Sequence, residues 1–180
     1  MITIISSTNR KESGALLFSQ IYASILKELT DQDIKVLALE DIPHDWFTPT
    51  MYDKGGQPAT IHKLQDEYLL PADKFVFVIP EYNGSFPGVL KLFLDACSVR
   101  EYKKTFKGKK AALVGIATGR AGNLRGMEHF TGVLNHVGTI VLPNRLPISS
   151  IEKLINEQEE LIDEPTREVI TSQMREFIAF

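Results

Sequence analysis

Short apolar runs rich in β-branched residues recur along the chain, separated by longer segments in which apolar and polar positions alternate with a helical period. The runs lie at residues 2–5, 34–39, 75–79, 111–117 and 139–142. Runs that are apolar at nearly every position are typical of strands buried on both faces of a sheet. The sequence therefore predicts five strands.

Amphipathic helices are predicted between these strands. In the first, from Leu17 to Leu29, pairs of apolar residues recur every four positions and form a single stripe. Similar patterns predict helices over 89–98 and 124–134. Two further helices are predicted after the last strand, over 151–162 and 165–180, the second with a proline in its first turn.

Alternating strands and helices imply a parallel sheet covered by helices on both faces, because parallel strands need crossover connections. Five strands fit the flavodoxin-like order 2-1-3-4-5, a three-layer α/β sandwich, and no Gly-x-Gly-x-x-Gly turn follows the first run. We expect a single domain over residues 1–180, with C-terminal helices at about 151–180 packed on the sheet or on another subunit.

Composition and charge narrow the classes of partner. The 180 residues carry a formal net charge of −3, which gives no electrostatic drive toward nucleic acid or an anionic membrane. No apolar run approaches the ~20 residues of a membrane helix, and the first run is too short for a signal peptide, so we expect a cytoplasmic protein. The single cysteine, Cys97, excludes an internal disulfide, and its apolar helical setting predicts a buried, inert thiol.

The loop after the first predicted strand suits an anionic ligand. It reads Ser-Ser-Thr-Asn-Arg-Lys-Glu-Ser over residues 6–13 and leads into a helix. Hydroxyl groups, the positive charge of Arg10 and the unpaired N–H groups of a helix N-terminus favour a bound phosphate. Taken alone, the loop also fits a helix capped by Ser13 with a solvated Arg10. It lacks the Gly-Lys-Ser/Thr ending of a nucleoside triphosphate loop.

The loop after the third predicted strand suits a flat ligand. It reads Pro-Glu-Tyr-Asn-Gly-Ser-Phe-Pro-Gly over residues 80–88. Gly84 permits close backbone approach, Tyr82 offers a ring for stacking, and exposed N–H groups near Asn83 could bind the edge of a heteroaromatic ring. A turn in which Ser85 caps the next helix is the alternative.

The loop after the fourth predicted strand contains two glycines three residues apart, in Thr-Gly-Arg-Ala-Gly-Asn over residues 118–123. Taken alone, the loop is weak evidence for a ligand site, because a structural turn also explains it. In an open α/β sheet, ligands bind beyond the carboxyl ends of the strands where the strand order reverses, and all three loops lie there. Their convergence predicts one ligand site.

With these residues in view, the sequence resembles the NAD(P)H-dependent FMN reductase family, which includes azoreductases and quinone or chromate reductases. The resemblance covers about residues 1–145. Its most specific part is Pro-Glu-Tyr-Asn-Gly-Ser at 80–85, followed by Pro87, Leu90, Lys91 and Asp95. The segment 7–13 is similar to the family's Gly-Ser-x-Arg-x-x-Ser phosphate loop, and 118–123 resembles its third flavin loop.

The resemblance implies an enzyme that passes a hydride from NADPH or NADH through noncovalently bound FMN to a small acceptor such as a quinone, an azo compound, a free flavin or a metal oxyanion. It also implies a homodimer or homotetramer whose interface borders the flavin. The residues assigned to FMN are Ser7, Thr8, Arg10, Ser13, Pro80, Glu81, Tyr82, Asn83, Gly84, Ser85, Thr118, Gly119, Gly122 and Asn123. The flavin carries the chemistry, so we assign no catalytic acid or base.

Three positions depart from the family pattern. Ser7 stands where the family usually has Gly, Ala15 where Asn or Thr often adds a phosphate donor, and Ala96 where Trp is common. Two alternatives therefore stay open: a flavodoxin-type electron carrier, against which the weak net charge argues, and a flavodoxin-like binding module that has lost flavin.

Other features have two interpretations each. The long 40–59 segment carries Trp46, Phe47 and Tyr52, which either wall the acceptor pocket or anchor the loop to the domain. The basic residues between 100 and 110 either attract the cofactor's phosphates or simply precede a strand. Two histidines seven residues apart, His129 and His136, do not make a metal site without a third ligand, and we assign none.

Overall fold

Six parallel strands form one sheet in the computed structural model, which describes residues 1–180. The strands are β1 (Ile2–Ser6), β2 (Ile34–Ala38), β3 (Lys74–Pro80), β4 (Lys110–Ile116), β5 (Ile140–Val141) and β6 (Leu146–Ile148). Their order is β2-β1-β3-β4-β5, with β6 also paired to β4. The predicted order 2-1-3-4-5 is confirmed, and the sixth strand is an addition to it.

Helices connect the strands. They are α1 (Gly14–Leu29), α2 (Ala59–Leu64), α3 (Gly88–Cys97), α4 (Tyr102–Phe106), α5 (Leu124–His136) and α6 (Glu164–Ala179). A π-helical turn, Gln65–Leu69, continues α2, and one 3₁₀ turn, Ile151–Lys153, follows β6. The helices predicted over 89–98, 124–134 and 165–180 are therefore present, whereas α2 and α4 are too short to have produced a clear periodic pattern.

The sheet separates two hydrophobic cores, and successive residues of β3 face opposite ones. Phe75 and Phe77 belong to the cluster that includes side chains from α3 and α5, whereas Val76 and Val78 belong to the cluster that includes α1 and α6. This alternation is the period of two that a strand imposes on its side chains. Both faces of the central strand are buried, as its continuous apolar run predicts.

Two short strands, β5 and β6, share the position beside β4 at the edge of the sheet. β5 pairs with Lys110 and Ala111 only, and β6 pairs with residues 114–116, so Leu113 has no register partner on that side. Pro143 and Pro147 lie in this stretch, and proline cannot donate to a strand ladder. The predicted strand over 139–142 is thus short, and the chain pairs with β4 a second time.

Gln173 of α6 occupies the gap left by this division. Its side chain is fully buried, and Nε2 donates to the Leu113 carbonyl at 3.2 Å and to the Asn144 carbonyl at 2.9 Å. Its Oε1 accepts from the Tyr22 hydroxyl of α1 at 3.0 Å. Burial raises the pKa of that Tyr22 hydroxyl. One amide thus joins α1, α6 and the broken sheet edge.

The helix predicted over 151–162 is wrong. Beyond the single 3₁₀ turn the segment is a loop, closed by a bridge between Ile155 and Leu161. The Asn156 side chain explains the difference: its Oδ1 accepts from the amides of Gln158 at 3.0 Å and Glu160 at 2.8 Å. Such local side-chain hydrogen bonds compete with helix formation.

The last helix packs on the sheet. Lys74 Nζ donates to the carbonyls of Phe177 at 2.8 Å and Ile178 at 2.7 Å, and Lys110 Nζ donates to the Phe180 carbonyl. Cations near the C-terminal carbonyls of a helix satisfy orphan acceptors and oppose the negative end of its dipole. Two lysines of the sheet therefore fix the end of α6.

Cys97 is fully buried in α3, and burial raises its pKa, so the predicted inert thiol is confirmed. Among the helices, none combines the length and apolar character needed to cross a membrane.

We expect Gln173→Ala to lower the free energy of unfolding by about 2–3 kcal/mol, because the Leu113 and Asn144 carbonyls and the Tyr22 hydroxyl each lose a buried partner. Chemical denaturation measures this change. The matched control is Ser172→Ala, an exposed neighbour on the same helix, which should change stability by less than ~0.5 kcal/mol. Equal effects of the two substitutions would contradict the bridging role.

Candidate cofactor-binding cleft

A cleft of about 960 Å³ opens at the carboxyl ends of β1, β3 and β4. Its volume lies at the upper end of the range for small-molecule and cofactor sites. The residues assigned to FMN that line it are Thr8, Arg10, Ser13, Pro80, Glu81, Tyr82, Asn83, Gly84, Thr118 and Gly119. The loops singled out from the sequence therefore share one cavity.

The first loop presents the N-terminus of α1 to this cleft. Ser13 caps the helix, and its Oγ accepts from the Leu16 amide at 3.4 Å. The amides of Gly14 and Ala15 have no hydrogen-bond partner in the chain, and both residues line the cleft with the exposed, unpaired Arg10. Unpaired first-turn amides and a guanidinium form a donor set suited to a phosphate.

Glu40 lies beneath this loop and was not among the residues assigned from the sequence. It follows β2, is 6% exposed and lines the cleft. Oε1 accepts from the Glu12 amide at 3.2 Å, and Oε2 accepts from Ser13 Oγ at 3.0 Å. Its place directly after the second apolar run, whose strand neighbours the first, was the available signal.

The second loop forms a tight two-residue turn. Tyr82 and Ser85 make an antiparallel bridge around Asn83 and Gly84, whose φ values are 51° and 76°. Positive φ at both central positions is the type I′ geometry that an Asn-Gly pair favours. The amides of Asn83 and Gly84 have no partner in the chain and lie at the cleft wall. They can donate to the edge of a planar ligand.

A hydrogen bond joins the first two loops. The hydroxyl groups of Thr8 and Tyr82 lie 2.6 Å apart, and Thr8 Oγ1 also accepts from the Arg10 amide at 3.2 Å. Thr8 is fully buried and the Tyr82 ring is half-buried. The bond therefore fixes the ring relative to the loop that leads into α1.

Four of the assigned residues lie outside the cleft lining. Ser7 is buried, and its Oγ donates to the Ile5 carbonyl at 3.1 Å. Ser85 Oγ lies 3.0 Å from Nδ1 of His129 on α5 and does not cap α3, which begins after Pro87.

The other two, Gly122 and Asn123, support the third loop from behind. A Cβ at Gly122 would lie 2.8 Å from the backbone nitrogen of Ile148, so only glycine allows this approach to β6. Asn123 is buried with φ 58°, and its Nδ2 donates to the carbonyls of Ile79 at 2.9 Å and Pro80 at 3.0 Å. Asn123 thereby holds the second loop against the third.

The segment after β6 also lines the cleft, beside the N-terminus of α1. Ile151, Glu152, Ile155 and Glu159 line it, and a Cβ at Gly14 would lie 2.8 Å from Ile151 Cδ1. The wrongly predicted helix hid this contribution. The lining carboxylates are Glu12, Glu40, Glu81, Glu152 and Glu159.

The aromatic residues of the 40–59 segment separate into two groups. Trp46 is 2% exposed, donates from Nε1 to the Pro43 carbonyl at 2.6 Å and packs edge-on against Phe93, so it anchors the loop. Phe47 and Tyr52 are 69% and 62% exposed, and neither lines the cleft.

Lys109, from the basic segment, has a structural contact: its Nζ donates to the carbonyls of Leu69 and Leu70 at 2.5 and 3.1 Å. Burial lowers the pKa of this Lys109 ammonium to about 8.

The cleft fits FMN. Arg10 and the amides of Gly14 and Ala15 suit its phosphate, and the Asn83–Gly84 amides of the second loop suit the acceptor edge of its ring. Tyr82, held by Thr8, adds an aromatic side chain to the same lining.

The chain is similar to known FMN reductases and quinone reductases. The family model described as NADPH-dependent FMN reductase matches residues 1–153. A NAD(P)H-dependent FMN reductase of Pseudomonas aeruginosa is 35% identical over 177 residues, which cover 97% of this chain and 92% of that protein. A quinone reductase of Escherichia coli K12 is 28% identical, covering 100% of this chain and 94% of that protein.

Solved structures share the fold. The flavoenzyme NAD(P)H:acceptor oxidoreductase FerB of Paracoccus denitrificans superposes with a TM-score of 0.74 at 23% identity, covering 99% of this chain and 94% of that one. An FMN-dependent NADH-azoreductase of Bacillus anthracis, in complex with FMN, gives 0.64 at 14% identity, covering 98% and 99%.

The chain belongs to the NADPH-dependent FMN reductase family. Its flavodoxin-like fold, expected from the strand pattern, is confirmed.

We expect Gly84→Val to weaken FMN binding at least about tenfold, because a β-branched side chain resists the φ of 76° and adds bulk at the cleft wall. Fluorescence titration measures the affinity. Gly108→Val is the matched control: Gly108 has a φ of 78° and open space around its Cβ, and it lies outside the cleft lining. Similar losses of FMN affinity in both variants would show that strain alone, not the turn, is responsible.

Proposed function

We propose that FMN binds across this cleft, with its phosphate at residues 8–15 and its ring against residues 80–84. The protein is an FMN-dependent oxidoreductase that uses NAD(P)H as electron donor and a small molecule as acceptor. FMN held by the residues of this cleft would supply the redox chemistry, which is hydride transfer from the nicotinamide and electron transfer to the acceptor. Quinones are the acceptor class we favour, because relatives from several bacteria are quinone reductases.

The observation that carries this proposal is that two groups of unpaired donors, from two different loops, line one cleft. Arg10 and the first-turn amides of α1 favour a phosphate, and the Asn83–Gly84 amides favour the oxygen or nitrogen edge of a ring. Fixed N–H dipoles aimed at such an edge stabilise negative charge that develops there. The protein's part is therefore to bind, orient and polarise, without a catalytic acid or base.

The assignment of individual residues follows the cleft lining. We propose that Arg10, Gly14 and Ala15 hold the phosphate, and that Tyr82, Asn83, Gly84, Thr118 and Gly119 surround the ring. Ser7, Gly122 and Asn123 support these loops from within the fold.

The remaining expectations concern organisation and location. We propose one domain over residues 1–180, located in the cytoplasm, where its lone cysteine stays a thiol. We also propose a homodimer or homotetramer, because seven large apolar side chains are exposed, Phe47 and Tyr52 most of all.

The purified protein should bind added FMN with quenching of flavin fluorescence, and with FMN it should oxidise NADH or NADPH when a quinone is present. The steady-state loss of the absorbance of the reduced nicotinamide measures this turnover. Binding without turnover would favour an electron carrier, and absence of FMN binding by calorimetry would favour a binding module without flavin.

In solution, we expect sedimentation equilibrium at micromolar concentration to give at least twice the chain mass of 20.2 kDa. A monomer at every micromolar concentration tested would overturn the proposed oligomer.

Replacing Phe47 by serine should leave the melting temperature within a few degrees of the wild-type value, because the Phe47 side chain is 69% exposed.

A further inference from the structure

Glu40 places a buried carboxylate inside the loop that is proposed to hold a phosphate. Its two oxygens accept from the Glu12 amide and from Ser13 Oγ, at 3.2 and 3.0 Å. No cation lies within ion-pair distance of it: Arg10 makes no ion pair, and Lys11 Nζ binds Asp41 at 2.7 Å. The loop thus contacts a carboxyl group that has no cationic partner and is 6% exposed.

This contact determines the direction of the Ser13 hydroxyl. A serine hydroxyl has one proton to donate, and an ionised carboxylate can only accept. The Ser13 proton is therefore directed to Glu40, while Ser13 Oγ accepts from the Leu16 amide. While Glu40 is ionised, Ser13 has no proton to donate to a phosphate. The Glu12 amide is occupied by Glu40 in the same way.

Glu40 also opposes a phosphate through its charge. Two anions in one partly buried site repel each other, and the low effective dielectric strengthens the repulsion. The other charged groups lining this cleft are Arg10, Lys11, Glu12, Glu81, Glu152 and Glu159. Of these, Arg10 alone is a cation without a carboxylate partner.

We propose that Glu40 is a specificity-determining residue that reduces the cleft's preference for flavins carrying a 5′-phosphate over flavins without one. The inference rests on the proposed placement of the FMN phosphate at residues 8–15. Glu40 contacts the phosphate loop from the segment that follows β2, and it belongs to none of the three loops of the site. Riboflavin should therefore compete with FMN better than it would if the donors of the loop acted without Glu40.

Glu40→Gln tests this idea with little change of shape. The amide oxygen of glutamine can still accept from the Glu12 amide, and its NH₂ group can donate to Ser13 Oγ. The Ser13 proton is then free to point into the cleft, and the negative charge is gone. FMN affinity should rise about tenfold or more, while riboflavin affinity should change by less than about twofold.

The measurement is the ratio of the riboflavin and FMN dissociation constants, obtained by fluorescence titration for each variant. The ratio cancels any loss of folded protein common to both ligands. Glu28→Gln is the matched control, because Glu28 is exposed near the far end of α1 and the substitution changes net charge by the same amount. Its ratio should equal that of the wild type. Arg10→Ala should lower the ratio, since it removes the free cation.

Ser13→Ala provides a second, independent arm. In the wild type the substitution should remove no hydrogen bond to the phosphate, because the Ser13 proton is committed to Glu40. In the Glu40→Gln background Ser13 can donate to the phosphate, so there the same substitution should weaken FMN binding by at least about threefold more than it does in the wild type. A double-mutant cycle without such coupling contradicts the assigned hydrogen-bond direction.

Other outcomes separate this inference from the proposed function. If Glu40→Gln weakens FMN binding, or shifts FMN and riboflavin equally, Glu40 only shapes the loop and the inference fails while the flavin site stands. If Glu40→Gln does not fold, Glu40→Ala takes its place, with the same expected rise in the ratio. If the wild type binds neither flavin, the proposed function itself is wrong.

Discussion

The parallel pairing of β1, β3 and β4 in one register is the constraint on which the site depends. Ser6 lies opposite Val78, and Pro80 lies opposite Ile116, so the three strands end within a few residues of one another. Their loops consequently leave the sheet side by side. The Asn123 amide then links the third loop to the last carbonyls of β3. Without that register, no local sequence choice could bring a phosphate loop and an Asn-Gly turn to one cleft.

Sequence reasoning succeeded where one local pattern decides the structure. The apolar runs around Ile4, Val76 and Val114 identify strands buried on both faces, and the loops that follow such strands line one cleft. The same reasoning failed over 151–162, where apolar spacing mimics a helix but the Asn156 side chain bonds the next amides instead. The periodicity of apolar residues indicates which face of a helix would be apolar, but it does not show whether local side-chain hydrogen bonds compete with that helix.

Contacts between distant parts of the chain could not be predicted from the sequence either. Glu40 reaches Ser13 only because β2 pairs beside β1, and Gln173 reaches Leu113 only because the fifth strand position is divided. Neither partner is identifiable from composition or spacing, since each contact depends on which side chains the completed sheet brings together. Residues missed in this way tend to be buried polar groups, whose hydrogen bonds are satisfied at long range.

The departures from the family pattern have physical explanations in the fold. A side chain is tolerated at Ser7 because its hydroxyl turns back to the Ile5 carbonyl, away from the cleft. Ala15 offers its backbone amide, which a side chain would supplement but need not replace. Ala96 is fully buried within α3, so the change there concerns packing rather than the ligand.

Charge in the cleft indicates how an anionic ligand is recognised. Several carboxylates line it, whereas Arg10 is its one cation free of an ion pair, and the chain as a whole is slightly acidic. Such a field does not draw anions in from a distance, because focusing requires a cleft lined by the opposite sign. Recognition must therefore come from contact, through N–H groups whose directions the α1 N-terminus and the Asn83–Gly84 turn have already fixed. Donors fixed in this way lose little entropy on binding, and they discriminate by geometry where net charge cannot.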